Sequence, residues 1–359
     1  MLLLKKIILT HFKNYEIKQF DFSQNIVGIC GPNGVGKTNL LDAIYYCCFT
    51  KSYFSGSDAL TIGFGKDGFR LEAFFEKEGK AFAVKCICRN NKKEFFLNDM
   101  QYEKLSKHIG LFPVVIVAPD DTGLISNGSE ERRKYLDILI SQLDAEYLQQ
   151  LMQYNKILQQ RNSFLKTAAL EQAIDFSLLD VLDMQLAKPA KYIFTKRSQV
   201  CDELIPLIAQ FYHRLAGKNE VVSCRYESNL HFSTMEDLLV KMRQRDQLLQ
   251  RTSAGIHKDE LGFELNSHPF KSTASQGQRK TLLFALKLAE FELLKKHKGF
   301  SPLLLLDDVF EKLDQNRMQL LLQWVCNENN GNVLITDTHK QRLTNAFKEL
   351  KIAAQVIAL

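Results

Sequence analysis

The stretch Gly31-Pro32-Asn33-Gly34-Val35-Gly36-Lys37-Thr38 constrains this chain more than any other. It is a full G-x-x-x-x-G-K-[ST] match that follows an apolar β-type run, residues 25–30, and precedes a helical run, residues 39–48. Strand, glycine loop and helix in that order form a phosphate cradle. The glycines allow a tight turn whose N–H groups ring an anion, and the helix adds its positive N-terminus. Lys37 is placed to neutralise β- and γ-phosphates, Thr38 to ligate Mg²⁺, and Asn39 closes the set of nucleotide contacts. The pattern implies ATP with Mg²⁺ on an α/β P-loop fold.

A second half-site lies far downstream. Residues 301–306 read as an apolar strand that ends in Asp307 and Asp308. A carboxylate at the carboxyl end of a strand beside a P-loop reaches Mg²⁺, directly or through water, and Asp307 suits that Walker B role. Asp308 stands where ABC-type ATPases carry the acid that polarises the attacking water, so with Lys37 it is the catalytic candidate. The competing reading, two acids capping a local turn, is weakened by finding both halves of the site in order.

Between them, Ser275-Gln276-Gly277-Gln278 stands just before a helical run over residues 279–296 and resembles the ABC signature loop. A small hydroxyl, a flexible glycine and a helix N-terminus make a γ-phosphate acceptor, although the same residues alone would serve as an ordinary N-cap. Glu311-Lys312-Leu313-Asp314 occupies the D-loop position. Thr336-Asp337-Thr338-His339 occupies the switch position, with His339 as the candidate switch.

Texture divides the chain. Residues 4–10, 26–30, 69–75, 81–88, 94–97 and 114–117 read as strands, separated at places such as Glu78-Gly79 and Asn90-Asn91 by turn signals. From about Glu130 to Gln250 apolar residues recur at helical spacing. Strand character returns at residues 262–265 and 332–336. The expected organisation is an ATPase lobe of residues 1–117 and 255–359 with a mostly helical second lobe, residues 118–254, inserted. No heptad array long enough for an extended coiled-coil arm is present.

Composition excludes several classes. Eight cysteines, at 30, 47, 48, 86, 88, 201, 224 and 326, form no CxxC pair, which argues for reduced core thiols over a zinc site or disulfide framework. The first residues lack the order of a signal peptide, and no run of about 18 apolar residues occurs, so the expected address is the cytoplasm and no membrane partner is expected. A formal net charge of +6 permits a nucleic-acid partner without demanding one.

Taken over nearly its whole length, the chain resembles the RecF family of ABC/SMC-type ATPases. The resemblance rests on Phe12-Lys13-Asn14-Tyr15, residues 31–39 and Leu40-Leu41-Asp42-Ala43-Ile44; on Ala118-Pro119-Asp120-Asp121 and residues 128–137; and on residues 255–261, 274–281 and 303–314. It implies an ABC-type head with a short helical second lobe. It also implies duplex or gapped DNA, the mediator RecR with RecO in its pathway, an ATP-dependent homodimer, a weak DNA-dependent ATPase used as a switch, and roles in DNA replication, repair, recombinase loading and the SOS response. Arg132 and Arg133 match a basic pair of the family, against the plainer reading of a solvated helix face. Ile256-His257-Lys258-Asp259 departs from the family's Pro-His-Arg-Asp, and residues 118–121 supply no Gln where a Q-loop belongs. The alternatives are a transporter nucleotide-binding subunit, which the long insertion disfavours, and a nuclease-linked ATPase, which would need an added His and acidic metal cluster.

Overall fold

The computed structural model describes residues 1–359 apart from 91, 172, 217–219, 312–314 and 329–330. The chain forms two compact units: residues 1–122, 210–219 and 275–359, and residues 123–209 and 220–274.

The first unit holds two sheets. Tyr15–Asp21, Leu2–Phe12, Gly68–Lys77, Lys80–Arg89, Lys92–Leu97 and Met100–Gln101 form an antiparallel sheet in that spatial order. Its hairpins turn where the sequence signals turns: Glu78 and Asn90 both take positive φ, and Gly79 completes the first turn. The other sheet is parallel and runs Ala354–Ala358, Ile26–Cys30, Val333–Asp337, Leu303–Leu306, Val114–Val117. Ile26–Cys30, Val333–Asp337, Leu303–Leu306 and Val114–Val117 are buried along their whole length, which explains why they read as unbroken apolar runs rather than alternating ones.

Parallel strands need crossovers, and two helices supply what the site requires. Lys37–Phe49 follows directly from the strand Ile26–Cys30, and Gln276–Lys298 leads into Leu303–Leu306. The latter ends on Gly299 in a left-handed conformation, with Lys295, Lys296, His297 and Lys298 in its last turn complementing the helix dipole.

The second unit is mainly helical: Ser129–Leu143, Ala145–Glu171, Met235–Leu249 and most of the 41-residue helix Phe176–Ala216. The continuous helical reading of residues 130–250 is corrected at Val222–Glu227, a strand paired with Glu260–Leu265. Its period-2 burial, with Val222 and Cys224 inward, is too short to stand out without its distant partner. That pairing also draws residues 255–274, assigned from the sequence to the ATPase lobe, into the second unit, while residues 118–122 stay with the first. All eight cysteines are free thiols, and all but Cys326 are buried. Among the described residues no helix is long and apolar enough to cross a membrane.

Candidate nucleotide site

The glycine loop leaves the buried strand Ile26–Cys30 between the strand Val333–Asp337 and the C-terminal strand. Gly31 N–H donates to the Asp337 carbonyl at 3.3 Å, and Leu359 N–H donates to the Cys30 carbonyl at 2.8 Å. Gly36 has φ 114°, a left-handed conformation, and a side chain there would also collide with the Asn14 amide and the Tyr15 hydroxyl at 2.7–2.9 Å. Glycine is therefore required twice over, by dihedral and by space.

Lys37 is 4% exposed. Its ammonium donates to the carbonyls of Gly31 at 2.8 Å and Pro32 at 3.2 Å. These are neutral acceptors on the loop itself, weaker partners for a cation than a phosphate oxygen. One residue on, the Thr38 hydroxyl donates to Asp307 Oδ2 at 2.8 Å, which brings the two half-sites together across most of the chain. The other Asp307 oxygen accepts from Thr336 at 2.7 Å. Burial pushes the Asp307 carboxyl up from its ordinary range, while the Thr336 and Thr38 hydroxyls pull it down. A hydroxyl and a carboxylate this close are hard oxygen donors suited to Mg²⁺, and the lysine above a ring of glycine N–H groups suits a phosphate chain. The residues fit ATP and Mg²⁺.

Asp308 has φ 46°, and its N–H donates to Thr336 Oγ1 at 2.8 Å. Thr336 therefore fixes both acids. The structure also engages Asn14 and Tyr15, whose chemical role is not legible from sequence alone. Lys13 and Asn14 form the two-residue turn between paired Phe12 and Tyr15. Asn14 Nδ2 donates to the Val35 carbonyl at 3.0 Å, Asn39 Nδ2 donates to Asn14 Oδ1 at 2.7 Å, and the Tyr15 hydroxyl donates to the Gly36 carbonyl at 3.0 Å. A left-handed Lys13, φ 50°, aims the turn, and its ammonium pairs with buried Asp42 at 2.6 Å. The signal was the polar Lys-Asn pair between aromatic residues, a hairpin tip, but its target is set only by the tertiary fold.

Ser275 caps Gln276–Lys298: its Oγ accepts from Gln278 N–H at 3.2 Å, and Gln278 Oε1 accepts from Ser275 N–H at 2.7 Å. This reciprocal capping box starts the helix at Gln276. Gly277 leaves room for the Arg317 guanidinium, which an added side chain would meet at 3.2 Å. Among the described residues no hydrogen bond joins residues 275–278 to residues 31–39. His339 enters through its backbone: its N–H donates to Asp337 Oδ1 at 2.9 Å, and its ring borders a groove lined by Phe310, Met318 and Arg342. Of the D-loop stretch, Lys312, Leu313 and Asp314 lie outside the described residues.

The basic pair of the second unit is held by carboxylate and carbonyl partners rather than standing on a solvated face. Arg132 is buried and forms a bidentate pair with Glu260 at 2.5 and 2.7 Å, while its remaining nitrogen donates to the Leu124 and Asn127 carbonyls. Arg133 donates to the Asp259 carbonyl at 2.7 Å. Neither is a solvated face. At the departing stretch Ile256-His257-Lys258-Asp259, Lys258 is exposed and Ile256 is buried. Asp259 is held by Arg197 and Tyr226, and His257 by the Tyr154 hydroxyl at 2.7 Å and the Thr252 carbonyl at 3.1 Å.

The family model of the RecF/RecN/SMC N terminal domain matches residues 3–356. DNA replication and repair protein RecF of Flavobacterium johnsoniae is 43% identical over 94% of this chain and 95% of its own length. The chain belongs to the RecF family. The RecF protein of Cytophaga hutchinsonii is 40% identical over 96% of this chain and 92% of its own. Among solved structures, the recombination mediator protein RecF with ATP in the RecFOR pathway superposes with a TM-score of 0.87 at 29% identity, covering 94% of this chain and 92% of that one. An Smc head domain from Pyrococcus yayanosii matches with a TM-score of 0.59 at 12% identity, covering 96% of this chain and 94% of that one, a likeness of fold. The RecF-family chain is thus an α/β P-loop ATPase head of ABC type.

Proposed function

We propose that this RecF-family chain binds ATP and Mg²⁺ and uses that binding to dimerise on DNA in cytoplasmic recombinational repair and replication-fork maintenance. The observation that carries the reading is the 2.8 Å contact of Thr38 with Asp307 beside a buried Lys37. Residues 31–39 hold the nucleotide. Thr38 and Asp307 would hold Mg²⁺, which would supply neutralisation of the charge building on the phosphates. Lys37 leaves its loop carbonyls for the β- and γ-phosphates, and Asp308 orients the water that attacks the γ-phosphorus.

Ser275 with Gln276, Gly277 and Gln278 has a capped N-terminus and no phosphate of its own to bind. It meets the nucleotide held by a second copy of the chain, so ATP joins the two chains and slow hydrolysis releases them. The DNA contacts are chiefly to phosphates on duplex or gapped substrates, weak in sequence preference and sensitive to salt. RecR, with RecO, is the expected partner at gaps, where recombinase loading and the SOS response follow.

Mixing tests the arrangement. Lys37→Ala and Ser275→Arg each fail to dimerise with ATP, whereas their mixture forms partial ATP-dependent dimers by light scattering. The one intact composite site pairs Lys37 of the Ser275→Arg chain with Ser275 of the Lys37→Ala chain. Lack of recovery, where wild type dimerises fully, overturns the shared site.

A further inference from the structure

The segment after the strand Val114–Val117 supplies no Gln, yet it is anchored elaborately. It begins beside the acid pair: Asp307 N–H donates to the Val117 carbonyl at 2.9 Å, and Ala118, Pro119 and Thr122 line a narrow cleft with Asp307 and Lys280. Asp121 closes the segment on itself by accepting from Ala118 N–H at 2.9 Å, and its other oxygen accepts from the Tyr53 hydroxyl. Behind it stands Lys287, fully inside the protein and one heptad beyond Lys280 on the same helix, hence on the same face. The ammonium lies 3.9 Å from Asp121, 3.7 Å from Glu290 and 3.5 Å from the Tyr53 hydroxyl, and over the Tyr53 ring. Tyr53 in turn packs edge-on against Tyr45 of the helix that begins at Lys37, with ring centroids 5.0 Å apart.

The Tyr53, Asp121 and Glu290 oxygens thus all lie 3.5–3.9 Å from this buried ammonium, which ties three elements together. We propose that Lys287 is a positioning residue for ATP hydrolysis, joining the helix capped by Ser275 to the 118–122 segment and so setting that segment's place beside Asp307. The proposal rests on the functional reading above. A γ-phosphate arriving at Ser275 pulls on the helix that carries Lys287, and Asp121 relays the movement to the acid pair. Burial raises the Glu290 carboxyl to about 7, so near neutrality a proton decides whether Glu290 competes with Asp121 for the ammonium; Lys287, Asp121 and Tyr45 are the groups that face it.

The test measures ATP turnover, KM and ATP-dependent dimerisation with duplex DNA present. Lys287→Met is expected to lower kcat by about 10- to 100-fold, the scale of a small misplacement of reacting groups. KM stays within about threefold, since the nucleotide contacts remain. Lys287→Arg restores most of the rate. Asp121→Asn, which keeps the acceptor for Ala118 but loses the charge, lowers kcat too, and the double variant is no slower than the slower single one. In Glu290→Gln the dependence of kcat on pH around 7 flattens. Wild-type kcat in folded Lys287→Met, or additive losses in the double variant, overturns the proposal. If Lys287→Met does not fold, Asp121→Asn decides, and a wild-type rate there overturns it. Wild-type protein that neither binds ATP nor dimerises overturns the functional reading instead.

Discussion

Buried Lys37 of the first unit and two buried arginines of the second end on different partners. In the first, Lys37 rests on two neutral carbonyls of a glycine loop. In the second, Arg161, wholly buried, closes on Asp183 at 2.6 Å and Asp246 at 2.7 Å, and Arg197 on Asp137 at 2.9 Å and Asp259 at 3.0 Å. A buried charge alone does not mark a functional site. Its partner does: a cation on carbonyls is available to a stronger anion, whereas an arginine closed on two carboxylates at 2.6–3.0 Å is architecture.

The largest effect that could break this contrast is in stability. Arg161→Met leaves fully buried Asp246 without its cation, while Asp183 keeps Arg243 at 3.1 Å, and should cost about 3–5 kcal/mol. Lys37→Ala strands no carboxylate and should leave the denaturation midpoint nearly unchanged, while weakening ATP binding about 10- to 100-fold, the worth of a charge-assisted contact. Denaturant titration and nucleotide titration of both variants give opposite patterns. Equal loss of stability in the two would end the distinction.

How much of this was legible follows the same line. The Ile26–Cys30 and Leu303–Leu306 strands and the Gly31–Thr38 loop announce themselves because their constraints are local: apolar runs, glycines at left-handed positions, acids at a strand end. The partner of Arg132 is not legible, because a basic pair in a helical stretch carries no mark of the carboxylate, Glu260, that waits 128 residues on. Thr336 was passed over for the same reason. It is one more polar residue at a strand end until the sheet order sets Val333–Asp337 beside Leu303–Leu306.

A medium effect sharpens the comparison through pH. Each unit encloses a histidine, fully in the first and partly in the second: His108 against the Cys47 carbonyl and Tyr102, and His257 against the Thr252 carbonyl and Tyr154. Burial lowers both to about 4. A histidine harder to protonate when folded costs nothing at neutral pH. As pH falls through its unfolded value near 6.5 towards 4, the unfolded chain takes up the proton first, and stability drops by up to about 3 kcal/mol for each. Denaturation at pH 7.5 and 5 should show the loss in wild type, and His108→Gln and His257→Gln should each remove part of it. An unchanged pH slope in either variant assigns the loss to other groups.

The smallest effect tests whether the first unit's loop is held ready or merely permitted. Lys37 can leave its carbonyls for a phosphate only if the loop keeps its shape when that tie breaks, and the Asn14 turn is what holds the other side, at Val35 and Asn39. Asn14→Ala removes two neutral hydrogen bonds at an exposed hairpin tip, so global stability should move by less than about 1 kcal/mol. In ATP affinity the same bonds count as preorganisation: their loss obliges the nucleotide to order the loop itself, and binding should weaken about 3- to 10-fold. Tyr15→Phe, which removes one bond at Gly36, should fall between this variant and wild type. Isothermal titration with ATP and Mg²⁺ separates the possibilities, because lost preorganisation makes the entropy of binding less favourable. Wild-type affinity in both variants would mean that the glycine loop holds its own shape, leaving the Lys13–Asp42 pair as the reason the turn lies there.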